Sequence, residues 1–275
     1  MDIVVAINKP EGWTSFDVVK KLSRTYKVKA GHSGTLDPMA TGVLLVAFNK
    51  ATKLLPYLMA SHKTYEATMQ LGISTDSKDI TGNILDEKPV QAFTKKQVEE
   101  ALRVCVGKQQ QTVPKVSAIK VDGKRLYKHS DDVELPVREI EIFNLKLLDM
   151  SETTITYQAQ VSKGTYIRVL SESIAKQLDL IATTSKLTRT HNSNVTLEQT
   201  QTLEEALQQV KALDTRQLLS NYRVIDIEDP TFIYHGKTTN IECEEDRVCF
   251  FYNNQPMAMY IRKEGTIFKS ERGLF

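Results

Sequence analysis

The feature that most constrains the fold is a glycine-rich segment that leads directly into an apolar run. Residues 31–42 hold three glycines and one proline, and every residue from Val43 to Phe48 is apolar. A short continuous apolar run bounded by turn residues is typical of a strand buried on both faces. We therefore predict that residues 31–42 form a loop that feeds a strand in the core of a sheet.

The loop carries a single carboxylate, Asp37, which is followed by a proline. An isolated Asp-Pro pair is more often a turn capped by its own backbone. Here His32, Asp37 and the glycines lie together at a predicted strand edge, which favours a functional site. The loop lacks the lysine of a Walker phosphate-binding loop, and in phosphoryl-aspartate enzymes the aspartate precedes the Gly-Thr-Leu segment instead of following it. Asp37 is therefore a candidate nucleophilic carboxylate.

Composition and charge limit the remaining possibilities. The chain has 275 residues, of which 41% are hydrophobic and 25% charged, so a large domain, alone or with a small second one, can bury a substantial core. The net charge is only +2, so an RNA partner would have to be held by a local basic patch. The cysteines and histidines show no zinc-ligand spacing. Without an apolar span or a signal peptide, we expect a cytoplasmic protein that needs no metal and no membrane.

Hydrophobic periodicity predicts an alternation of strands and helices over most of the chain. Strands are predicted at residues 3–7, 63–71, 140–147 and 155–161. Helices are predicted to begin near Ser15, Leu54, Thr94 and Thr202, and another is predicted after the turn at Gly164, with Leu170, Ile174 and Leu178 on its apolar face. From about Tyr222 onward the pattern changes to short strands, which indicates a small separate β unit. The segment 113–129 is rich in lysine and has little periodicity. It is either a solvated loop or a basic arm that lies over a polyanion.

Motifs spread over the first 190 residues carry a resemblance to a known family. They are Asn8 to Ser15, Gly31 to Gly42, Ala51 to Leu54, Lys63 to Ala67, Leu71-Gly72 with Thr75-Asp76, Asp79 with Gly82, Pro114 with Ser117-Ala118 and Lys120, Gly123 with Tyr127, and Gly164 to Arg168. In this order they resemble the bacterial tRNA pseudouridine synthases that modify uridine 55, the TruB family. The chain departs from the family pattern at residues 128–138, which are more acidic, and at residues 188–195.

The resemblance implies a fold and a division into domains. The expected fold class is α+β, with a central mixed, mainly antiparallel sheet flanked by helices and a small C-terminal β domain similar to PUA domains. Residues 1–222 would form the catalytic domain, with a basic RNA-binding arm at about 110–138, and residues 223–275 the C-terminal domain. The implied partner is tRNA, bound through its T-stem-loop. We expect a monomer, because the C-terminal segment shows no obvious interface signal.

The resemblance also implies roles for individual residues. Asp37 corresponds to the catalytic aspartate, Tyr65 to the tyrosine that stacks on the target base, and Arg168 to the arginine paired with the aspartate. His32 falls where a family histidine fills the gap left in the RNA loop, and Tyr166 and Leu187 match residues that line the uracil pocket. Further substrate contacts are expected at Lys9 and Lys53. For the arm, the expected RNA-binding residues are Lys115, Lys120, Lys124, Arg125 and Lys128.

The reaction implied by the family is the conversion of uridine to pseudouridine. It breaks the N1–C1′ bond, turns the uracil and joins C5 to C1′, so it needs no cofactor. The aspartate could attack C1′ or act as a base on the sugar, and the sequence leaves both routes open. Three alternatives also stay open: a non-catalytic tRNA-binding chaperone, a pseudouridine synthase for another RNA site, and a carboxylate-dependent glycoside hydrolase. The hydrolase would need a second acid, for which Asp76 and Asp79 are the candidates.

Overall fold

The computed structural model describes residues 1–121, 123–126 and 133–274, which fold into a ten-stranded sheet, a five-stranded sheet and two two-stranded sheets, together with flanking helices. The helices are α1 Ser15–Tyr26, α2 Leu55–Met59, α3 Lys95–Val104, α4 Ile167–Lys176, α5 Leu203–Gln208, α6 Thr215–Leu218 and α7 Thr231–Tyr234. Short 3-10 helices lie at Asn49–Leu54 and Leu197–Gln199.

The strands alternate with these helices along the chain. The first ten are β1 Val4–Lys9, β2 Ala30–His32, β3 Thr41–Phe48, β4 Lys63–Leu71, β5 Ile73–Thr75, β6 Ile84–Glu87, β7 Gly107–Thr112, β8 Lys120–Val121, β9 Lys124–Arg125 and β10 Val137–Met150. The others are β11 Thr154–Val161, β12 Ala182–Asn192, β13 Val195–Thr196, β14 Gln201–Thr202, β15 Arg223–Asp226, β16 Thr239–Asn240, β17 Arg247–Tyr252, β18 Gln255–Glu264 and β19 Ile267–Gly273.

The large sheet is mixed and mainly antiparallel. Its strand order is β14-β1-β3-β12-β4-β11-β10-β7, and the parallel neighbours are β1 with β14 and β3 with β12. The predicted α+β class with a mixed, mainly antiparallel sheet is confirmed. The apolar run that follows the glycine-rich loop is β3, which is buried on both faces.

The two faces of β1 and β3 are covered differently. Val5, Leu44 and Val46 pack under α1 and α5, whereas Val4 and Leu45 face a second cluster on the opposite side. Helix α1 begins at a capping box in which Thr14 and Asp17 each satisfy the other's backbone N–H group. Its apolar stripe Val18, Val19 and Leu22 is buried against the sheet.

A close approach of two backbones lies where β3 begins beside β12. A Cβ atom on Gly42 would lie 2.3 Å from the carbonyl oxygen of Arg189, and the φ angle of Gly42 is +103°. Only glycine fits this combination of crowding and backbone conformation. The contact fixes the end of the Asp37 loop against β12.

The C-terminal strands form a five-stranded sheet of order β15-β17-β18-β19-β16. Its residues Cys249, Phe251 and Met259 belong to the same buried cluster as Val4 and Leu45 of the large sheet. The turn at Asn253 and Asn254, in which both φ angles are positive, connects β17 to β18. The small sheet is thus anchored to the large one by a shared apolar core.

Neither a membrane-spanning helix nor a metal site is found among the described residues. Among the described residues, no helix is long and apolar enough to span a bilayer. Over the same residues, no group of three or more His, Cys, Asp or Glu side chains is arranged as a metal site. Cys105, Cys243 and Cys249 are free thiols.

Candidate active site

The loop that carries Asp37 is held by the beginning of α1. The Ser15 hydroxyl accepts a hydrogen bond from the backbone N–H of Leu36 at 2.8 Å and donates to its carbonyl at 3.2 Å. The backbone N–H of Gly12 donates to the carbonyl of Pro38 at 2.9 Å. Asp37 is therefore flanked on both sides by residues tied to the segment 12–15.

Lys9 supports the same loop from behind. Its side chain is fully buried, and Nζ donates to the carbonyls of Pro10 at 2.8 Å, Trp13 at 2.6 Å and Pro38 at 3.2 Å. Burial lowers the pKa of Lys9 to about 8, and the Asp37 carboxylate opposes that shift. Lys9 joins two loops through their carbonyls, and the substrate contact expected for it from the sequence stays a prediction. It is not among the residues that line the cavity.

Arg168, in the first turn of α4, joins two carboxylates at the centre of the site. Its side chain is 2% exposed, with Nε 2.9 Å from Oδ2 of Asp37 and Nη1 3.3 Å from Oδ2 of Asp79. The guanidinium also donates to the carbonyl of Ser77, and to that of Val116 at 3.0 Å. The sequence-predicted pair of Asp37 and Arg168 is therefore present as an ion pair. The charge of the buried arginine is shared with Asp79.

The two carboxylates differ in exposure. The Asp37 side chain is 32% exposed and the Asp79 side chain 6%. Oδ1 of Asp79 accepts hydrogen bonds from the Ser77 hydroxyl, the Thr81 hydroxyl and the Thr81 backbone N–H. Asp79 is thus committed to protein partners, whereas Asp37 is left with an open side.

Two opposing effects set the ionisation of Asp37. Burial raises its pKa above the usual carboxyl value, and the charge of Asp79 acts in the same direction. Arg168 and Lys9 oppose the rise because they stabilise the ionised form. The net direction is upward, which is a frequent property of catalytic carboxylates.

A cavity of about 890 Å³ opens above these groups. Its walls include the sequence-predicted residues Asp37, Tyr65, Tyr166, Arg168 and Leu187. Five residues expected from the sequence to form the base-binding and catalytic centre are therefore brought together, from four elements that are far apart in the chain. A volume of this size is within the range of small-molecule pockets.

Tyr65 and Leu187 come from adjacent strands of the large sheet. Tyr65 lies on β4 and Leu187 on β12, and both are largely buried at the cavity wall. Tyr166 is the residue before α4, where its backbone N–H donates to Oε1 of Gln111 at 2.7 Å and its carbonyl accepts from Nε2 of Gln111 at 3.1 Å. This pair of bonds fixes the entry of α4, and with it the position of Arg168 two residues later.

Arg189 is a buried cation that the sequence interpretation missed. Its side chain is 1% exposed, and the guanidinium donates to the carbonyls of Val43 at 2.7 Å and Gly34 at 3.2 Å. Nη1 lies 3.5 Å from the hydroxyl of Tyr65. Arg189 thereby links the tyrosine to both ends of the Asp37 loop. The signal available in the sequence was its place two residues after Leu187 on the same face of a strand.

Asp79 is the other group that sequence reasoning undervalued. The sequence marks Asp79 as a family-motif residue and as a candidate second acid, but its neighbours predict an ordinary polar loop. The structure buries it against Arg168 because the turn at residues 76–82 folds onto β12, where Asp79 forms a bridge with Thr184. Nothing local in the sequence indicates that long-range contact.

His32 and Lys53 lie outside the cavity lining. His32 ends β2, where burial lowers its pKa, and among the described residues its Nδ1 has no hydrogen-bond partner. Lys53 is half-buried in the 3-10 helix Asn49–Leu54. The structure therefore brings neither residue to the wall beside Asp37, and their expected substrate contacts stay predictions.

The predicted arm, at about residues 110–138, lines part of the cavity and carries exposed positive charges. Ser117, Ala118 and Ile119 line the cavity, and β8 pairs with β9 beyond them. The side chains predicted to bind RNA are exposed at Lys115, Lys120, Lys124 and Arg125. Lys128 and the acidic stretch 129–132 lie outside the described residues. Two exposed cations at the cavity, Arg138 and Lys163, were not anticipated from the sequence.

The fold and the site together define an α+β protein in which a partly exposed carboxylate is paired with a buried arginine at the floor of an aromatic-lined cavity. Among solved structures, this chain is similar to one in a crystal structure of a Cbf5-Nop10-Gar1 complex, with a TM-score of 0.76 and 21% identity over 99% of this chain and 85% of that one. At that identity the likeness establishes the fold.

Sequence comparison is more specific. Residues 20–167 match the family described as TruB family pseudouridylate synthase (N terminal domain). A protein of Mesoplasma florum named tRNA pseudouridine synthase B is 35% identical over 98% of this chain and 97% of its own length. A protein of the same name from Oceanobacillus iheyensis is 44% identical over 74% of this chain and 71% of its own. The chain belongs to the TruB family of pseudouridylate synthases.

Proposed function

We propose that this protein is a tRNA pseudouridine synthase that isomerises uridine 55 in the T-loop. The observation that carries the proposal is the ion pair of Asp37 and Arg168 at the floor of the cavity, in a chain of the TruB family. The names of the full-length relatives supply the class of RNA. The protein is accordingly an isomerase that acts on RNA.

In the proposed reaction the target nucleotide leaves the stacked RNA and enters the cavity, because its C1′ and C5 cannot be reached in a helix. The N1–C1′ bond breaks, the uracil turns, C5 bonds to C1′, the C5 hydrogen leaves and N1 gains a proton. Asp37 acts on the ribose in its ionised form, either as nucleophile at C1′ or as base. Arg168 stabilises that ionised form and aims it.

The cavity walls receive the uracil. The ring of Tyr65 stacks on the base, which returns part of the cost of flipping, since stacking on an aromatic side chain contributes roughly 1–3 kcal/mol. Tyr166 and Leu187 line the pocket around the base. Lys9 acts through the Asp37 loop, to which three carbonyl contacts bind it.

Further contacts to the RNA come from the arm and from His32. The arm at about 110–138 places Lys115, Lys120, Lys124, Arg125 and Lys128 on the T-stem-loop, and His32 fills the gap that the flipped base leaves. Residues 1–222 form the catalytic domain, and residues 223–275 form a PUA-like domain. The enzyme acts as a monomer.

The test is product mapping on defined RNAs. An unmodified tRNA transcript, a T-stem-loop RNA and a transcript with cytidine in place of uridine 55 are each incubated with the protein, and pseudouridine is located by sequencing. We expect pseudouridine at position 55 of the first two RNAs and none in the third. Pseudouridine at another position would overturn the proposed site, and binding without any product would favour a chaperone.

A further inference from the structure

The outward face of α1 carries an unusual concentration of positive charge. Residues 15–29 contain Lys20, Lys21, Arg24, Lys27 and Lys29, against a single acidic residue, Asp17. The whole chain has a net charge of only +2. The excess of positive charge is therefore confined to this segment. A basic stripe of this kind is typical of a surface that binds a polyanion.

Three of the exposed side chains share one helical face. Phe16, Lys20 and Arg24 follow each other at a spacing of four residues, and the exposed Lys27 comes directly after the helix, as its C-cap residue with a φ angle of +52°. Phe16 is 64% exposed, although phenylalanine is usually buried. With a rise of 1.5 Å per residue, the helical part of the row, from Phe16 to Arg24, is about 12 Å long. We call these four residues the α1 surface.

The cations of the α1 surface are not neutralised by acidic side chains of the described residues. Within the described part of the chain, Lys20, Arg24 and Lys27 form no ion pair. Asp17 is occupied by Thr14 in the capping box at the start of the helix. Glu204 and Glu205 lie on the neighbouring α5, and among the described residues neither forms an ion pair with these cations.

The α1 surface is continuous with the candidate active site. Its first member, Phe16, directly follows Ser15, whose hydroxyl makes both hydrogen bonds to Leu36 beside Asp37. The row therefore starts next to the catalytic loop and runs away from it along the helix. A nucleic acid strand whose target nucleotide lies in the cavity can continue along this row.

We propose that the α1 surface is a second contact for the RNA backbone of the substrate, separate from the arm. Lys20, Arg24 and Lys27 bind successive phosphate groups, and the Phe16 ring stacks on an unpaired base next to the cavity. The proposal rests on the proposed function, because it takes the substrate to be RNA. Its consequence is that binding of RNA is divided between two sides of the Asp37 loop.

The test compares two triple variants that lose the same charge. Lys20→Gln/Arg24→Gln/Lys27→Gln removes the α1 cations, and Lys96→Gln/Lys146→Gln/Lys176→Gln removes exposed lysines from α3, β10 and α4, which pack in a different buried cluster from α1. The Kd for unmodified tRNA is measured by fluorescence anisotropy over a range of KCl concentrations. The values of kcat and KM are measured on the same RNA.

For the α1 triple variant we expect the Kd to rise about 10- to 100-fold at 0.1 M salt, and the slope of log K against log salt to fall by about 2, since each phosphate contact contributes about 0.7–0.9. KM should rise in the same way while kcat stays within about twofold of wild type. Phe16→Ala alone should raise Kd about 5-fold or more. The control triple variant should match wild type.

Equal Kd and salt slope for the two triple variants would overturn the phosphate contacts, and an unchanged Kd for Phe16→Ala would overturn the stacking. The single charge reversal Arg24→Glu provides the same readout if the α1 triple variant is poorly folded by circular dichroism. Failure of the proposed function is distinct, because the wild-type protein would then form no pseudouridine in tRNA.

Discussion

Replacement of Arg168 by Met is the perturbation whose effect follows most directly from the geometry. It removes the ion pairs to Asp37 at 2.9 Å and to Asp79 at 3.3 Å, together with the hydrogen bonds to the carbonyls of Ser77 and Val116. Met fills a similar volume, so the main change is the loss of charge and of hydrogen-bond donors. Both carboxylates then stay in place without their cation.

The magnitude can be worked from the distance. Two unit charges 2.9 Å apart interact by about 6 kcal/mol at an effective dielectric constant near 20. Desolvation offsets part of this, and removal of one partner of a buried pair typically costs about 3–5 kcal/mol. At 1.36 kcal/mol for each factor of ten, kcat should fall roughly 10²- to 10⁴-fold. The free energy of unfolding should fall by a similar about 3–5 kcal/mol.

The variant should also change the pH dependence. Burial already raises the pKa of Asp37, and without Arg168 the pKa rises further because the ionised form loses its main stabilising partner. Activity that needs the carboxylate form is lost as pH falls through that pKa. We therefore expect the activity of Arg168→Met to increase with pH over a range in which the wild-type rate is nearly constant.

The assay is release of tritium from tRNA labelled at C5 of uridine, since the C5 hydrogen leaves when C5 bonds to C1′. Unfolding in urea gives the stability, and Arg103→Met, which breaks an exposed ion pair with Glu100, is the matched control. A kcat within tenfold of wild type and an unchanged pH profile for Arg168→Met would refute the assignment of Asp37 and Arg168 as a functional pair.

Four further predictions follow from the site and the core. Tyr65→Leu removes the stacking ring and should lower kcat/KM about 10- to 100-fold in the tritium assay, and unaltered kcat/KM would count against the stacking role. Asp79→Asn keeps the hydrogen-bond acceptor but removes the second charge on Arg168, and should destabilise by about 1–3 kcal/mol in urea titration; no loss would contradict the shared pairing. Lys9→Met removes the ammonium donor from three carbonyls, of which Pro38 keeps a bond from Gly12, and should lower stability by about 1.5–3 kcal/mol; unchanged stability in calorimetry would contradict this role. Phe251→Ala empties part of the core shared by the two sheets and should destabilise by about 3–5 kcal/mol in one cooperative transition; two separate transitions would show that the sheets unfold independently.

Sequence reasoning was most successful where the pattern is local. The apolar run from Val43 to Phe48 is β3, the alternation around Tyr65 is β4, and the capping box at Thr94 opens α3. The family motifs led to Asp37 and Arg168, which the fold brings within 2.9 Å although 131 positions separate them. Local periodicity alone could not have placed those two residues together.

The features that the sequence did not predict depend on long-range contacts, or on backbone carbonyls that satisfy a buried cation only in the folded protein. Arg189 is buried because β12 crosses the end of the Asp37 loop, and no local pattern marks an arginine for burial. The burial of Lys9 also escaped prediction, because three backbone carbonyls surround its ammonium group only once the loops fold around it, and its expected substrate contact stays a prediction. The basic row on α1 is visible in the sequence only when the buried side of the helix is known.

The central claim is that the carboxylate of Asp37 performs the isomerisation and contributes little to RNA binding. The most direct measurement is turnover of an unmodified tRNA by Asp37→Asn beside wild type, with nucleosides separated after digestion and with Kd measured for both proteins. We predict no detectable pseudouridine from the variant and a Kd within a few-fold of wild type. Pseudouridine formed by Asp37→Asn at a rate close to that of wild type would contradict the account.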